Sequence, residues 1–197
     1  MSRYTGPKHK LVRKLGNLPG LTTKMAKTQK FKKSNLSEYG IRLQEKQKLK
    51  FNYGISEKQL FNYIKEARRI KGATGSNLIQ LLEMRFDNII YRLGFAPTIP
   101  AARQLITHGH VLLNGKSLSF PSFQCSPNDV ITFKEKSISQ KLLKLNLERN
   151  TSSSNPRHLS LQNKEGSSVG TILGIVNPRD IELKIKELLI VEFYSRK

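Results

Sequence analysis

The sequence has little cysteine and no long apolar run. Cys125 is the one cysteine among 197 residues, so it can form neither an intramolecular disulfide nor a zinc site built from several thiolates. We predict a small core or loop residue at this position. Apolar residues make up 37% of the chain and the mean hydropathy is −0.45. No apolar run approaches the roughly 20 residues that cross a bilayer, so we expect no membrane insertion.

Acidic residues are also scarce. The chain has 14 Asp and Glu against 35 Lys and Arg, which gives a net charge of +21 and a pI of about 10.3. The first fifty residues hold 14 Lys and Arg but only two Glu, a net charge of +12. Such an excess of positive charge predicts a polyanionic partner, and nucleic acid is the first candidate. A merely very soluble surface is the alternative, although such surfaces usually mix the two signs.

The most informative stretch runs from residue 84 to residue 116 and begins with a predicted helix. Its apolar residues recur at the spacing of one helix face: Phe86, Ile89, Ile90 and Leu93. Gly94 follows where a helix commonly ends in a left-handed residue, and Pro97 prevents continuation. We expect Arg85 and Arg92 to point away from the apolar face and to stay in water.

A second helix and a hairpin complete this stretch. Thr98 is a suitable N-cap, with Pro100 in the first turn of the helix. Asn114-Gly115 between apolar runs predicts a type I′ turn, which should present Lys116 at its tip. His108 and His110 lack a third ligand nearby, so a metal site is not expected. Asp87 is interpreted as a partner for a neighbouring cation and not as a catalytic acid.

The rest of the chain divides into predicted elements on both sides of this stretch. Residues 56–71 should form a helix with a capping box of Ser56 and Gln59 and a buried stripe of Leu60, Phe61, Ile64 and Ala67. Another helix should start at residues 74–77. After the hairpin we predict a strand at 130–133, an amphipathic helix on Ile138, Leu142 and Leu145, a flexible connection at 151–156, and strands at 158–162 and 169–176. The C-terminal apolar residues fit either a helix or an extended segment.

Residues 1–50 are predicted to be a basic extension that becomes ordered against RNA, because glycine and proline interrupt any apolar period. One helical turn is expected around Leu11, Val12, Leu15 and Leu18. A merely solvated tail is the alternative.

The stretch RFDNIIYRLGFAPTIPAARQLITHGHVLLNGK resembles the RNA-binding domain named after ribosomal protein S4. The flanking segments 1–20, 53–75 and the terminal LIVEFYSRK are similar to the corresponding parts of that small-subunit ribosomal protein family. The resemblance implies an α+β fold: a mainly helical first domain, an inserted S4-type domain of helices and a small antiparallel sheet, and a basic extended N-terminal arm. The expected divisions are an extension at 1–50, a helical domain at 51–85 completed by 177–197, the S4-type domain at 86–150, and a linker with short strands at 151–176.

The resemblance also implies a function. A member of this family is a structural constituent of the small ribosomal subunit and not an enzyme. It binds small-subunit rRNA near a multi-helix junction in the 5′ domain, nucleates assembly of the subunit body and contributes to translational accuracy. Neighbouring small-subunit proteins and the channel through which mRNA enters are expected nearby, whereas a cofactor or small-molecule substrate is not. Some bacterial members bind zinc through N-terminal cysteines, which this sequence lacks.

The opening YTGPKHKLVRKLGNLPGLT resembles the plastid-encoded branch of the family, so a chloroplast (plastid) ribosome is the expected location and the bacterial cytoplasm is the alternative. The chain opens without a signal-peptide pattern and is expected to act where it is translated. The candidate RNA-contacting residues are Arg3, Tyr4, Lys8, Arg13, Lys14, Arg68, Arg69, Lys71, Asn77, Arg85, Arg92, Arg103, Gln104, His108, His110 and Lys116.

Two other functions use the same module. An RNA-modifying enzyme would need a further catalytic domain, a nucleotide-binding glycine loop or paired carboxylates in an apolar setting, and the sequence offers none of these. A standalone RNA chaperone fits less well, because the long helical lead and the terminal LIVEFYSRK resemble the ribosomal family.

Overall fold

The structure is a computed structural model that describes residues 4, 6–23, 36–134, 137–149, 156–164, 167–177, 180–181 and 183–195. The chain forms two compact units. Unit 1 comprises Met1–Leu82 and Ile181–Lys197, and unit 2 comprises Glu83–Asp180, so unit 2 is inserted within the sequence of unit 1. These divisions fall at residues 82/83 and 180/181, close to the expected ones at 85/86 and 176/177.

The described elements, in chain order, are α1 Lys8–Leu15, α2 Glu38–Asn52, α3 Glu57–Arg69, α4 Thr74–Glu83, α5 Phe86–Arg92, α6 Ile99–Thr107, β1 Val111–Leu113, β2 Lys116–Ser117, β3 Val130–Phe133, α7 Ser137–Arg149, β4 Leu159–Lys164, β5 Ser167–Ile172 and α8 Glu187–Ser195. The α+β class is therefore confirmed.

The described elements of unit 1 are helices, and several of their local features agree with the sequence predictions. Ser56 and Gln59 form the expected capping box at the start of α3, with both reciprocal hydrogen bonds present. Leu60, Ile64 and Ala67 are buried as predicted, but Phe61 is 39% exposed and lies outside the stripe. The predicted turn on Leu11, Val12, Leu15 and Leu18 is present in part as α1, which buries Val12 and Leu15, while Leu18 is buried beyond the end of this helix. The C-terminal residues form a helix, α8, which packs against α2.

The expectation of an irregular extension up to residue 50 was wrong, because Glu38–Asn52 form the helix α2. Ser37 caps this helix by accepting a hydrogen bond from the Gly40 N–H. The helix is mostly polar, and even Lys46 is buried on it. The Lys46 Nζ lies 2.7 Å from the Glu57 Oε1 and 4.4 Å from the centroid of the Phe193 ring. A cation at a buried position weakened the apolar pattern, so the sequence did not reveal the helix.

Unit 2 contains an antiparallel sheet in the order β2-β1-β3-β5-β4. Helices α5 and α6 pack against each other, and the predicted apolar face of α5 is fully buried. The Thr98 hydroxyl accepts from the Ala101 N–H, as an N-cap should. Asn114 and Gly115 have φ angles of 50° and 75°, which a type I′ turn requires. The predicted hairpin is therefore confirmed.

Two expectations about the later part of the chain were wrong. The segment 151–176 was predicted to be a linker with short strands outside the S4-type domain. The strands are present as β4 and β5, but they belong to the same sheet as the hairpin. Gly170 on β5 lies so close to Leu93 that a Cβ would collide with it, which fixes β5 against the end of α5. On α7 the inward residue is Leu143, whereas Ile138 is 66% and Leu145 is 49% exposed. Residues 151–155 of the expected flexible connection lie outside the described part of the chain.

Cys125 is buried as predicted, and burial raises the pKa of its thiol to about 12. In the described ranges, histidine, cysteine and carboxylate side chains do not gather into a group that could hold a metal ion. Among the described helices, none combines the length and apolar character needed to span a membrane.

Candidate RNA-binding surface

The first helix of unit 2 begins with a buried cluster of charges around Asp87. The Arg85 guanidinium donates to both carboxylate oxygens of Asp87, at 3.1 and 3.0 Å. Arg103 reaches across from α6 and donates from its Nε to the Asp87 Oδ2 at 2.7 Å. Asp87 is fully buried, whereas the Arg103 side chain is 18% exposed. This Asp87 cluster, which comprises Arg85, Asp87 and Arg103, ties α5 to α6.

A second buried cluster lies around Glu83, at the end of α4. The Arg92 Nε and Nη2 donate to the two Glu83 carboxylate oxygens at 3.1 and 3.0 Å. The Asn88 amide donates to the carbonyl and to the carboxylate of the same glutamate, at 3.0 and 2.7 Å. Both charged side chains are buried, so this Glu83 cluster satisfies its charges internally.

The expectation that Arg85 and Arg92 stay in water was therefore wrong, since they are only 2% and 8% exposed. A guanidinium can be buried when a carboxylate meets its donors in a bidentate arrangement. The interpretation of Asp87 as a cation partner is confirmed. Sequence reasoning missed Glu83, because the turn at Met84 and Arg85 breaks the helical spacing that would have related it to Arg92.

The turn of the hairpin in unit 2 is fixed by hydrogen bonds between the Asn114 side chain and the residues at the start of β3. The Asn114 amide donates to the Asp129 Oδ1 at 2.8 Å, and its oxygen accepts from the Val130 N–H at 2.8 Å. Lys116 is exposed and is the first residue of β2, directly after the turn and not at its tip. The described residues give its side chain no ion-pair partner. The rigid turn thus holds the Lys116 ammonium group in a solvent-exposed position.

Beside the hairpin, α6 contributes further polar groups to the outside of unit 2. Gln104 and His108 are exposed, and His110 is half-buried with its Nδ1 at 3.0 Å from the Ser139 Oγ. The two imidazole rings lie 6.1 Å apart. We call Gln104, His108 and Lys116 the hairpin group, because all three are exposed polar residues of the stretch from α6 to β2.

Unit 1 has its own exposed cations at the C-terminal end of α3. Arg68, Arg69 and Lys71 are exposed, and within the described residues none of them makes an ion pair. We call these three residues the α3-end cations. Cations at this end of a helix also interact favourably with its dipole.

Asn77 differs from these neighbours in being buried. Its amide donates to the Ala67, Ile70 and Lys71 carbonyls at 3.3, 3.1 and 3.5 Å. The carbonyls in the last turn of a helix have no partner within the helix. The Asn77 amide supplies hydrogen bonds to carbonyls at the end of α3. Asn77, which the sequence selects as an RNA contact, is only 8% exposed and uses its amide in a capping contact within the protein.

The N-terminal helix α1 carries the remaining candidates. Lys8, Arg13 and Lys14 are exposed, and the Lys8 Nζ donates to the Leu21 carbonyl at 3.4 Å. Tyr4 is 48% exposed, and its ring meets Phe51 edge to face at 5.6 Å. Arg3 lies outside the described residues.

Comparison with known proteins agrees with this arrangement. Residues 3–83 match the family described as "Ribosomal protein S4/S9 N-terminal domain", and residues 84–131 match the "S4 domain". The chain is 50% identical to "Small ribosomal subunit protein uS4" of Thermosynechococcus vestitus over the full length of both chains. It is 50% and 49% identical to proteins named "Small ribosomal subunit protein uS4c" from Mesostigma viride and Equisetum hyemale, again over the full lengths. The chain therefore belongs to the uS4 family of small ribosomal subunit proteins.

Proposed function

We propose that this protein is a structural component of the small ribosomal subunit and binds small-subunit rRNA directly. The observation that carries the proposal is its relationship to uS4 proteins over the full chain, together with exposed cations on both units. The net charge of +21 over the chain favours binding to a polyanion. The protein acts by positioning RNA and carries out no reaction.

The physical basis of binding is the release of counterions from phosphates by exposed lysine and arginine side chains. Structured RNA is recognised largely through its shape and backbone, so the cations must stand in fixed relative positions. The Asp87 and Glu83 clusters provide that rigidity in unit 2, because each joins separate helical segments through charge-assisted hydrogen bonds.

The RNA-contacting residues are assigned by exposure. They are the α3-end cations, the hairpin group, the α1 residues Lys8, Arg13 and Lys14, and Tyr4. Arg103 and His110 are only partly exposed and stay predicted contacts on sequence grounds. Arg85, Arg92 and Asn77 support these contacts from inside the protein, because their hydrogen-bonding groups are already used there. Arg3 stays a predicted contact on sequence grounds.

The finer functional details extend the same proposal. Binding near a multi-helix junction of the 5′ domain would let the protein nucleate assembly of the subunit body. A position beside neighbouring small-subunit proteins and the mRNA entrance would give it an influence on decoding accuracy. The uS4c relatives favour a plastid ribosome as its location, and the uS4 relative from Thermosynechococcus supports the bacterial cytoplasm as the alternative.

The test is binding of the full chain to a transcript of the 5′ domain of small-subunit rRNA over a range of salt concentrations. If about ten phosphates are engaged, log K should fall against log salt with a slope of roughly −7 to −9. The protein should also stay with small subunits through a high-salt wash. Its release while other subunit proteins remain bound would favour an RNA chaperone and contradict the structural role.

A further inference from the structure

A tight turn between β2 and β3 carries two exposed phenylalanines. Phe120 is 67% exposed and Phe123 is 41% exposed. The Phe123 N–H donates to the Phe120 carbonyl at 3.1 Å, which closes a four-residue turn with Pro121 at its second position. We call Phe120–Phe123 the Phe turn. Its two rings project from Cα positions less than about 7 Å apart, since that separation defines such a turn.

The backbone of the Phe turn is fixed by the start of α5. The Phe86 N–H donates to the Phe123 carbonyl at 2.9 Å, and the Asp87 N–H donates to the Pro121 carbonyl at 3.1 Å. Just beyond the turn, the Cys125 N–H donates to the Met84 carbonyl at 2.9 Å. The rings are therefore exposed on a rigid segment that is joined to the Asp87 cluster.

The chain segment that contains the Phe turn has no acidic residue, and the adjacent Asp87 is buried and paired with Arg85 and Arg103, which favours an anionic partner. Residues 114–128 contain Lys116 but no aspartate or glutamate. The carboxylate that follows, Asp129, is occupied by the Asn114 amide and by the Ser126 N–H, each at 2.8 Å. A purely apolar partner would not require the absence of acidic residues. An RNA strand has phosphates beside its bases, so it fits both the exposed rings and the lack of negative charge.

From this geometry we propose that the Phe turn is a stacking site for an unpaired base of the bound RNA. Unpaired bases in RNA loops and bulges are commonly held on aromatic rings, and every base offers a face for stacking. The inference rests on the proposed rRNA binding and deepens it. Exposed cations hold phosphates, and the Phe turn holds one base without reading its edge.

Tryptophan fluorescence tests the stacking directly, because the chain contains no tryptophan of its own. Phe120→Trp and Phe123→Trp each introduce one indole at the site. Ile138→Trp is the matched control, since Ile138 is 66% exposed on α7 of the same unit. With the 5′-domain transcript, we expect strong quenching of the indole at either turn position and little change at the control.

Affinity gives a second readout. The double variant Phe120→Ala/Phe123→Ala should weaken binding by about 5- to 150-fold for one lost base stack. The slope of log K against log salt should not change, because no charge is removed. The unfolding midpoint should stay close to wild type, since the rings are exposed.

Three outcomes would overturn the inference. Unquenched indoles with normal transcript affinity would exclude stacking and leave the proposed function intact. A blue-shifted, unquenched emission that develops only in reconstituted subunits would assign the Phe turn to a protein neighbour. Failure of the wild-type chain to bind the transcript would remove the proposed function and the stacking site together.

Discussion

The end of α3 and the α5 segment are both rich in arginine, yet their cations have opposite environments. Arg68 and Arg69 are exposed to solvent at the end of α3, whereas Arg85, the N-cap of α5, and Arg92, its last residue, are only 2% and 8% exposed. The difference lies in the carboxylates. Glu83 at the end of α4 and Asp87 on α5 are buried and bind these arginines, whereas the α3-end cations have no such partner among the described residues.

In a chain with so few acidic residues, the position of each carboxylate decides what the nearby arginines do. An arginine that meets a buried carboxylate organises the fold, because separating the pair would leave a buried charge unsatisfied. A cation at a helix end without a carboxylate remains available to a phosphate. The two regions should therefore respond differently to mutation, one mainly in stability and the other mainly in RNA affinity.

The largest expected effect is on stability and comes from Glu83→Ala. Removing this carboxylate leaves the Arg92 guanidinium buried without its bidentate partner and also removes an acceptor for Asn88. Breaking one side of a buried ion pair typically costs about 3–5 kcal/mol. We expect a loss of that size in the free energy of unfolding, measured by urea denaturation of the full chain.

The double variant Glu83→Ala/Arg92→Ala is the control for this prediction. It removes both charges, so the loss should be smaller than the sum of the two single losses. Additive losses would show that the pair does not couple, and the distinction between buried and exposed arginines would then lose its energetic basis.

A smaller effect, on affinity alone, is expected from Lys116→Glu. Its side chain is exposed and covers no core, so the unfolding midpoint should not change. One lost phosphate contact should lower the magnitude of the salt slope by about 0.7–0.9 and weaken binding roughly fivefold at about 0.15 M salt. Lys141→Glu, at an exposed position on α7, is the matched control. Equal losses for both variants would mean that only total charge matters.

The smallest effect concerns pH and His158. This histidine is 8% exposed, and neither ring nitrogen has a hydrogen-bond partner among the residues that the structure describes. Burial lowers its pKa from 6.5; Arg92 also lowers it, while Glu83 and Asp180 act in the opposite direction. Because the folded pKa lies below the unfolded one, protonation favours the unfolded chain.

Stability should therefore be fully retained above pH 6.5 and should fall as the pH drops from 6.5 toward the lowered pKa. Urea midpoints across this window measure the change, and His158→Leu should remove the part of it that depends on the imidazole. An identical pH dependence in the variant would show that His158 carries no share of the linkage.

Short sequence motifs correctly predicted the structural features that depend only on residues close together in the chain. The capping box at Ser56, the N-cap at Thr98 and the Asn114-Gly115 turn were all confirmed, because each is a contact over a few residues. The apolar face of α5 was likewise predicted, since helix periodicity reports burial directly.

Features that depend on distant residues were not predictable in this way. The membership of β5 in the sheet requires its pairing with β3, about 40 residues earlier in the chain. The burial of Lys46 depends on Glu57 and on Phe193 at the far end of the sequence. Arg92 was misjudged for the same reason, because its partner Glu83 lies on the preceding helix and outside the helical spacing.

The most direct test of the division between buried and exposed cations is the salt dependence of rRNA binding by the double variant Arg68→Glu/Arg69→Glu. Lys58→Glu is the control, because it reverses an exposed cation at the opposite end of the same helix. We predict that the double variant loses about one unit of slope for each phosphate contact removed, while the control keeps the wild-type slope. A double variant with wild-type affinity and slope would contradict the assignment of the α3-end cations to the RNA.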